Sequence, residues 1–267
     1  MGARSRGPRG QRAERDQTGP VGPAPIVKHR AVISLALLFA TGCLRSEAIP
    51  RTPQQAEQAL REGNDRFARD HARHPHASAD RRHETARDGQ HPFAAIVACS
   101  DSRVPVELLF DQGIGDLFVI RVAGNVCGVD EAGSIEYAVE HLHLPLVVVL
   151  GHEHCGAVKA VVDGSHEHGS LEKLITRIRP AVDAVRRERS ELSGEALLHA
   201  AVERNVWHSL EELLAVSADI RRFMTEDRLQ VVGAVYDIDS ARVTWLGPHP
   251  RQAELLRTGA APANCDK

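Results

Sequence analysis

Three apolar runs stand out along the chain: Pro92–Ala98 (P-F-A-A-I-V-A), Leu117–Val122 (L-F-V-I-R-V) and Leu144–Leu150 (L-P-L-V-V-V-L). Unalternated runs of aliphatic residues at this length predict strands buried on both faces, as in a parallel sheet. Leu229–Ile238 and Arg242–Leu246 predict two more strands, joined at Asp239-Ser240-Ala241 in a hairpin-like junction. Helical spacing fills the intervals. Gln54–Ala72 carries Ala56, Ala59, Leu60, Phe67 and Ala68 on one side, and Gly63-Asn64 within it predicts a kinked or two-piece helix. Pro105–Phe110 reads as a short helix with proline at its start. Ala123-Gly124-Asn125 turns out of the second strand. Gly133–His143 is helical through Ile135, Ala138, Val139 and Leu142, and Ala157–Val162 continues as a helix after the third strand. Ser170–Arg189 is amphipathic with Pro180 as a kink. Glu195–Ala215 is a long helix, and Ser217 caps a shorter one through Phe223. Polar Ala72–His91 reads as a solvated connection, and residues 249–267 as a loosely ordered tail. Strand alternates with helix, so the class is α/β with a mainly parallel sheet.

The N-terminus has a different character. Residues 1–26 are rich in Arg, Gly and Pro without apolar periodicity, which predicts disorder. Lys28-His29-Arg30, apolar Ala31–Thr41 and Ala40-Thr41-Gly42-Cys43 then follow the order of a secretory signal ending in a bacterial lipobox. On this reading residues 27–43 are the signal, Cys43 is the lipidation site, and residues 1–26 come from an early gene start, translation beginning at Val27. Residues 44–53 are a linker and residues 54–248 the main folded domain. The expected location is the periplasm, or a membrane anchor on the outside of a bacterial cell. The alternative is a cytoplasmic protein whose apolar N-terminal helix packs on the domain.

Composition removes some classes. A net charge of −3 and an aromatic fraction of 4% offer neither the basic footprint nor the stacking platforms of a nucleic-acid binder. Five cysteines, at 43, 99, 127, 155 and 265, do not form a dense disulfide framework.

The candidate chemistry lies in two short stretches, each directly after an apolar run: Cys99-Ser-Asp101-Ser-Arg103 and Gly151-His152-Glu-His-Cys155-Gly156. In open α/β sheets the carboxyl ends of the strands border the ligand crevice. Two thiolates and an imidazole there select Zn2+ over Mg2+ or Ca2+ and leave a fourth position open. His152 and Cys155 lie three apart, so both can face one ion. H-x-x-C alone is a weak signal; C-x-D-x-R beside it is what strengthens the case. Arg103 can hold Asp101 in a bidentate pair and keep it ionised, the bland reading being an ion pair that stabilises the loop. Cys127 reads as a buried structural cysteine. His141 and His143 read as packing or surface residues, His166 and His168 as members of a solvated loop. His154 is nearest the motif among fifteen histidines, but nothing in the pattern assigns it a proton-transfer role.

Taken together, C-S-D-S-R-V, F-D-Q-G-I-G-D-L-F-V-I-R-V-A-G-N, G-S-I-E-Y-A-V and G-H-E-H-C-G-A-V resemble a β-class carbonic anhydrase over about Leu60–Asp237. The resemblance implies Cys99, His152 and Cys155 as ligands of one Zn2+ per subunit, with Asp101 and Arg103 as the catalytic pair. It implies a four-stranded parallel core sheet with a fifth, antiparallel strand, flanking helices and an N-terminal helical arm that reaches across a homodimer or higher even-numbered oligomer. Gln90, Phe118 and Tyr137 resemble the substrate-pocket residues of the plant-like branch, with Gly156 beside them. Ile96 stands where bicarbonate-regulated relatives have Trp, which implies the unregulated branch. The stretch at Val122-Ala123 departs from the plant-like form. The implied activity is reversible hydration of CO2 to bicarbonate by zinc-bound hydroxide. The alternatives are hydrolysis of carbonyl sulfide or carbon disulfide at the same site, and a non-catalytic zinc-binding surface protein with Asp101 permanently on the metal.

Overall fold

The computed structural model describes residues 49–258 and the isolated Gly22. The readings made for residues 1–26, for the signal with Cys43, and for the last nine residues of the tail lie outside the described residues, Gly22 apart.

Five strands form one sheet in the order β2-β1-β3-β4-β5: β1 (Ala94–Ala98), β2 (Leu117–Arg121), β3 (Leu146–His152), β4 (Gln230–Tyr236) and β5 (Val243–Gly247). The first four are parallel, and β5 runs antiparallel to β4. Every residue of β1 and β3 is buried, as their unalternated sequences demand, while edge strand β2 is mostly half-buried. Ala95, Val97, Val147, Val149 and Val231 face one core, and Ala94, Ile96, Ala98, Leu146, Val148 and Val232 face the other.

Helices cover both faces. α1 (Pro53–Ala68) and α3 (Val106–Leu109) lie over the second core; α2 (Ala79–Asp88) carries no buried residue. The larger core is closed by α4 (Val129–His141), α5 (Gly156–Val162), α6 (Gly169–Thr176), α7 (Arg179–Glu188), the long α8 (Gly194–Val216), α9 (Ala218–Thr225) and α10 (Gln252–Thr258). The chain leaves β1 toward β2 on one side, then returns to place β3 on the other. The reversal opens a crevice at the carboxyl ends of β1 and β3.

Five expectations change. Helix α1 runs unbroken through Gly63-Asn64. A Cβ at Gly63 would lie 1.8 Å from Phe110 O, so glycine serves close packing there. Asn64 Nδ2 donates to Leu109 O and Ala241 O, and its Oδ1 accepts from Val243 N. The polar connection contains α2, started by Ser78, whose Oγ accepts from Arg81 N. The amphipathic stretch from Ser170 is two helices, broken at Arg177-Ile178, with Pro180 in the first turn of α7. The tail is ordered into α10, with Leu255 and His249 buried. Helix α4 also begins at Val129, before Gly133, because Glu131 turns back to accept from Gly128 N at 2.7 Å.

Candidate metal centre

Cys99 follows β1 directly, and His152 is the last residue of β3, its neighbour in the sheet. The chain then turns through His154, at φ +54°, so that Cys155 becomes the N-cap of α5. These three steps bring one ligand atom each from Cys99, His152 and Cys155 within 4.8 Å of one another, all in buried residues. The two sulfurs are 4.0 Å apart. Tetrahedral Zn2+ with bonds of about 2.3 Å to sulfur sets them about 3.8 Å apart, so the pair is spaced for that ion.

The protons agree with the spacing. His152 Nδ1 lies 2.9 Å from Glu153 O; a carbonyl only accepts, so Nδ1 carries the hydrogen and Nε2 keeps its lone pair. Nε2 is buried without a hydrogen-bond partner among the described residues. A buried, unpartnered lone pair facing two sulfurs is what a cation would satisfy. The contact with Cys155 and the Gly124 and Asp101 amides lower the Cys99 thiol against burial; the same contact and burial raise Cys155. Cys99 is thus the sulfur disposed to be a thiolate, and Cys155 would give up its proton on holding a divalent ion.

Asp101 and Arg103 sit beside the three ligands. Arg103 Nε donates to Asp101 Oδ1 at 3.0 Å and Nη2 to Oδ2 at 2.8 Å, and Arg103 N adds a third bond to Oδ1 at 2.9 Å. The guanidinium holds the Asp101 carboxyl well below the usual carboxylate range. Asp101 Oδ2 is 4.0 Å from His152 Nε2, next to the ligand cluster. Arg103 Nη2 also donates to His154 O at 3.3 Å, tying the two motifs together.

The proposed pocket residues lie elsewhere in the single chain. Phe118 is in register with Ala95, four residues short of Cys99, so about 13 Å down the strands. Tyr137 stacks beside it with centroids 6.2 Å apart, its other side on His141 at 5.1 Å, and remains 48% exposed. Gln90 is exposed and precedes β1, at the opposite end from Cys99. Gly156, exposed at the first turn of α5, adjoins Cys155. Cys127 is fully buried, and burial pushes its thiol up. His143, His166 and His168 are exposed.

Arg121 escaped the sequence reading. Its Nε donates to Cys99 O at 3.1 Å and its Nη2 to Asp101 O at 2.5 Å, clamping the loop between ligand and carboxylate. Its signal was a lone charge at the end of an otherwise apolar strand.

A sequence profile of the family described as carbonic anhydrase matches residues 94–243. Carbonic anhydrase 2 of Mycobacterium tuberculosis is 41% identical over 199 residues, which is 73% of this chain and 93% of its own. Among solved structures, the β-carbonic anhydrase CafA of Aspergillus fumigatus superposes with TM-score 0.61 at 29% identity, covering 76% of this chain and 95% of that one. A structure from the work on two tetrameric β-carbonic anhydrases of Sordaria macrospora superposes with TM-score 0.58 at 25% identity, over 73% of this chain and 98% of that one.

Proposed function

Since the chain belongs to the β-class carbonic anhydrases, zinc enzymes that hydrate CO2 reversibly to bicarbonate and a proton, we propose that Asp101 and Arg103 are its working pair and that Cys99, His152 and Cys155 hold the metal. Zn2+ in this donor set lowers the pKa of bound water to about 7 and so supplies a nucleophile near neutral pH. The carrying observation is that Asp101 is tied to Arg103 by both carboxylate oxygens while lying beside the ligand cluster. Held ionised, Asp101 is an acceptor at all working pH values. With zinc held by Cys99, His152 and Cys155, Asp101 would accept a hydrogen bond from the nucleophile and orient it toward the carbon of CO2. By engaging both carboxylate oxygens, Arg103 would keep Asp101 off the metal, which favours catalysis over a closed structural site. Arg121 holds the backbone on either side of Ser100, so Asp101 keeps its place relative to Cys99.

Gln90, Phe118 and Tyr137 are assigned to the CO2 pocket of a homodimer rather than of one chain. Their distance from the ligands along the strands and the exposure of Tyr137 support a second copy as the neighbour. Ile96 supports the branch without bicarbonate regulation. Export with Cys43 as a lipid anchor rests on the sequence of residues 27–43; among the described residues no helix is long and apolar enough to cross a membrane. The deciding experiment is stopped-flow CO2 hydration by purified protein with and without a zinc chelator. Rapid, chelator-sensitive hydration supports the reading, and hydration indifferent to complete zinc removal refutes it.

A further inference from the structure

We propose that Asn205, near the middle of α8, is a positioning residue for the metal centre, acting through the Gly124 peptide on the sulfur of Cys99. Asn205 is 0% exposed, and its helix neighbours Val202 and Val206 belong to the main apolar core. Its Nδ2 donates to Gly124 O at 2.7 Å. A carbonyl only accepts, which settles which end of the amide faces it. Asn205 Oδ1 has no partner among the described residues. An apolar side chain there would leave Gly124 O without its donor, so the amide is explained by the carbonyl it holds rather than by packing.

What the amide holds does account for it. Gly124 lies at φ +70°, and a Cβ there would sit 2.5 Å from Ile178 Cδ1 and 3.3 Å from Ala157 Cβ. From this conformation its N–H donates to Cys99 Sγ at 3.2 Å. One residue is therefore gripped at its carbonyl by α8 and delivers its amide to a metal ligand. An N–H···S bond draws negative charge off the thiolate and fixes the direction of its remaining lone pairs. The cation is left more electron-poor, and the sulfur does not have to be oriented when metal binds. Asn205 touches neither metal nor substrate; by holding the Gly124 carbonyl it fixes the backbone angles of this permissive residue, and with them the direction of its N–H. The Asp101 amide, 3.4 Å from the same sulfur, is set independently through Arg121.

This inference rests on Cys99, His152 and Cys155 binding zinc, and its test separates the two. Asn205→Asp keeps the shape but places an oxygen against Gly124 O; Asn205→Ala removes the donor. Zinc affinity is measured by competition with a chromogenic chelator, the sulfur-to-metal charge-transfer band on cobalt-substituted full-length protein, and Tm on the zinc form. The expected result is zinc affinity lowered about 10- to 100-fold, the usual size for an outer-shell partner, with a displaced charge-transfer band. Variants that melt earlier yet keep wild-type zinc affinity and band overturn the proposal. Wild-type protein with no zinc affinity and no thiolate band overturns the zinc reading instead. Should neither variant fold, 113Cd-loaded wild-type protein labelled with 15N and 13C is examined by NMR. Couplings across Gly124 N–H···S–Cd and Asn205 Nδ2–H···O=C support the proposal, and their absence refutes it.

Discussion

Replacing Asp101 by asparagine changes one atom and separates metal binding from catalysis. Asp101 is not among the three clustered ligands, so zinc content is expected to stay at wild-type level. The wild-type carboxylate receives three donors: Arg103 N and Nε on Oδ1, and Nη2 on Oδ2. Asparagine offers one oxygen. If that oxygen keeps the two bonds at Oδ1, the amide NH2 takes the Oδ2 position, facing Nη2 and the side nearest His152 Nε2. The group that accepted from the nucleophile then donates, and its charge is gone. Flipping the amide restores an acceptor on that side only by setting NH2 against two donors of Arg103. Loss of one preorganised, charged partner at a reacting centre lowers rates about 10²- to 10³-fold, or about 3–4 kcal/mol of barrier. The effect is expected in kcat/KM for CO2, followed by stopped flow with a pH indicator, on samples matched for zinc by elemental analysis. A variant with full zinc and a rate within threefold of wild type would refute the role given to Asp101.

Three other outcomes follow from the same contacts. Asn64→Ala leaves Leu109 O, Ala241 O and Val243 N without their partner and should destabilise the fold by about 2–4 kcal/mol, read from the urea midpoint with zinc saturating. Burial pushes Glu211 up, but His208, His249 and Arg204 outweigh it, and its folded pKa lies below the ordinary value. A depressed carboxylate pKa stabilises above the unfolded value of about 4.3 and loses that contribution as pH falls below it. Glu211→Gln should therefore be less stable than wild type at pH 7, with a gap that stays near full size to about pH 4 and narrows as pH falls below it; a gap independent of pH would contradict the assignment. Zinc should shield Cys99 and Cys155 from a thiol reagent, chelation should expose both, and mass spectrometry of the alkylated peptides reports it.

The central strands were legible because burial on both faces writes an unbroken apolar run, as in Ala94–Ala98 of β1 and Leu146–Leu150 of β3. The metal ligands were legible for a related reason, since they stand where such runs end. Elements held by neighbours rather than by their own pattern were not. Helix α2 buries nothing; it is fastened by Arg81, whose Nε reaches Ile114 O at 2.8 Å and whose Nη2 pairs with Asp116, and no apolar period announces that. Gly63-Asn64 carries the composition of a break, yet both residues are there to meet Phe110, Leu109 and Ala241, which only the folded chain brings near. Just before α10, His249 Nε2 lies 3.1 Å from Glu211 Oε1, a contact across 38 residues.

The same division runs through the site. Cys99, His152 and Cys155 have side chains chosen for an ion, and that chemistry shows in one dimension. Arg121 and Asn205 act on backbone carbonyls, Cys99 O and Asp101 O in one case and Gly124 O in the other. Every residue type has a carbonyl, so the receiving end leaves no trace in the sequence, and only an out-of-place polar residue marks the giving end. An asparagine between two buried valines on a core-facing stripe, and an arginine closing an apolar strand, are both of that kind. Polar residues placed where apolar ones would pack better are therefore the positions at which the support of a metal site can be sought before coordinates exist.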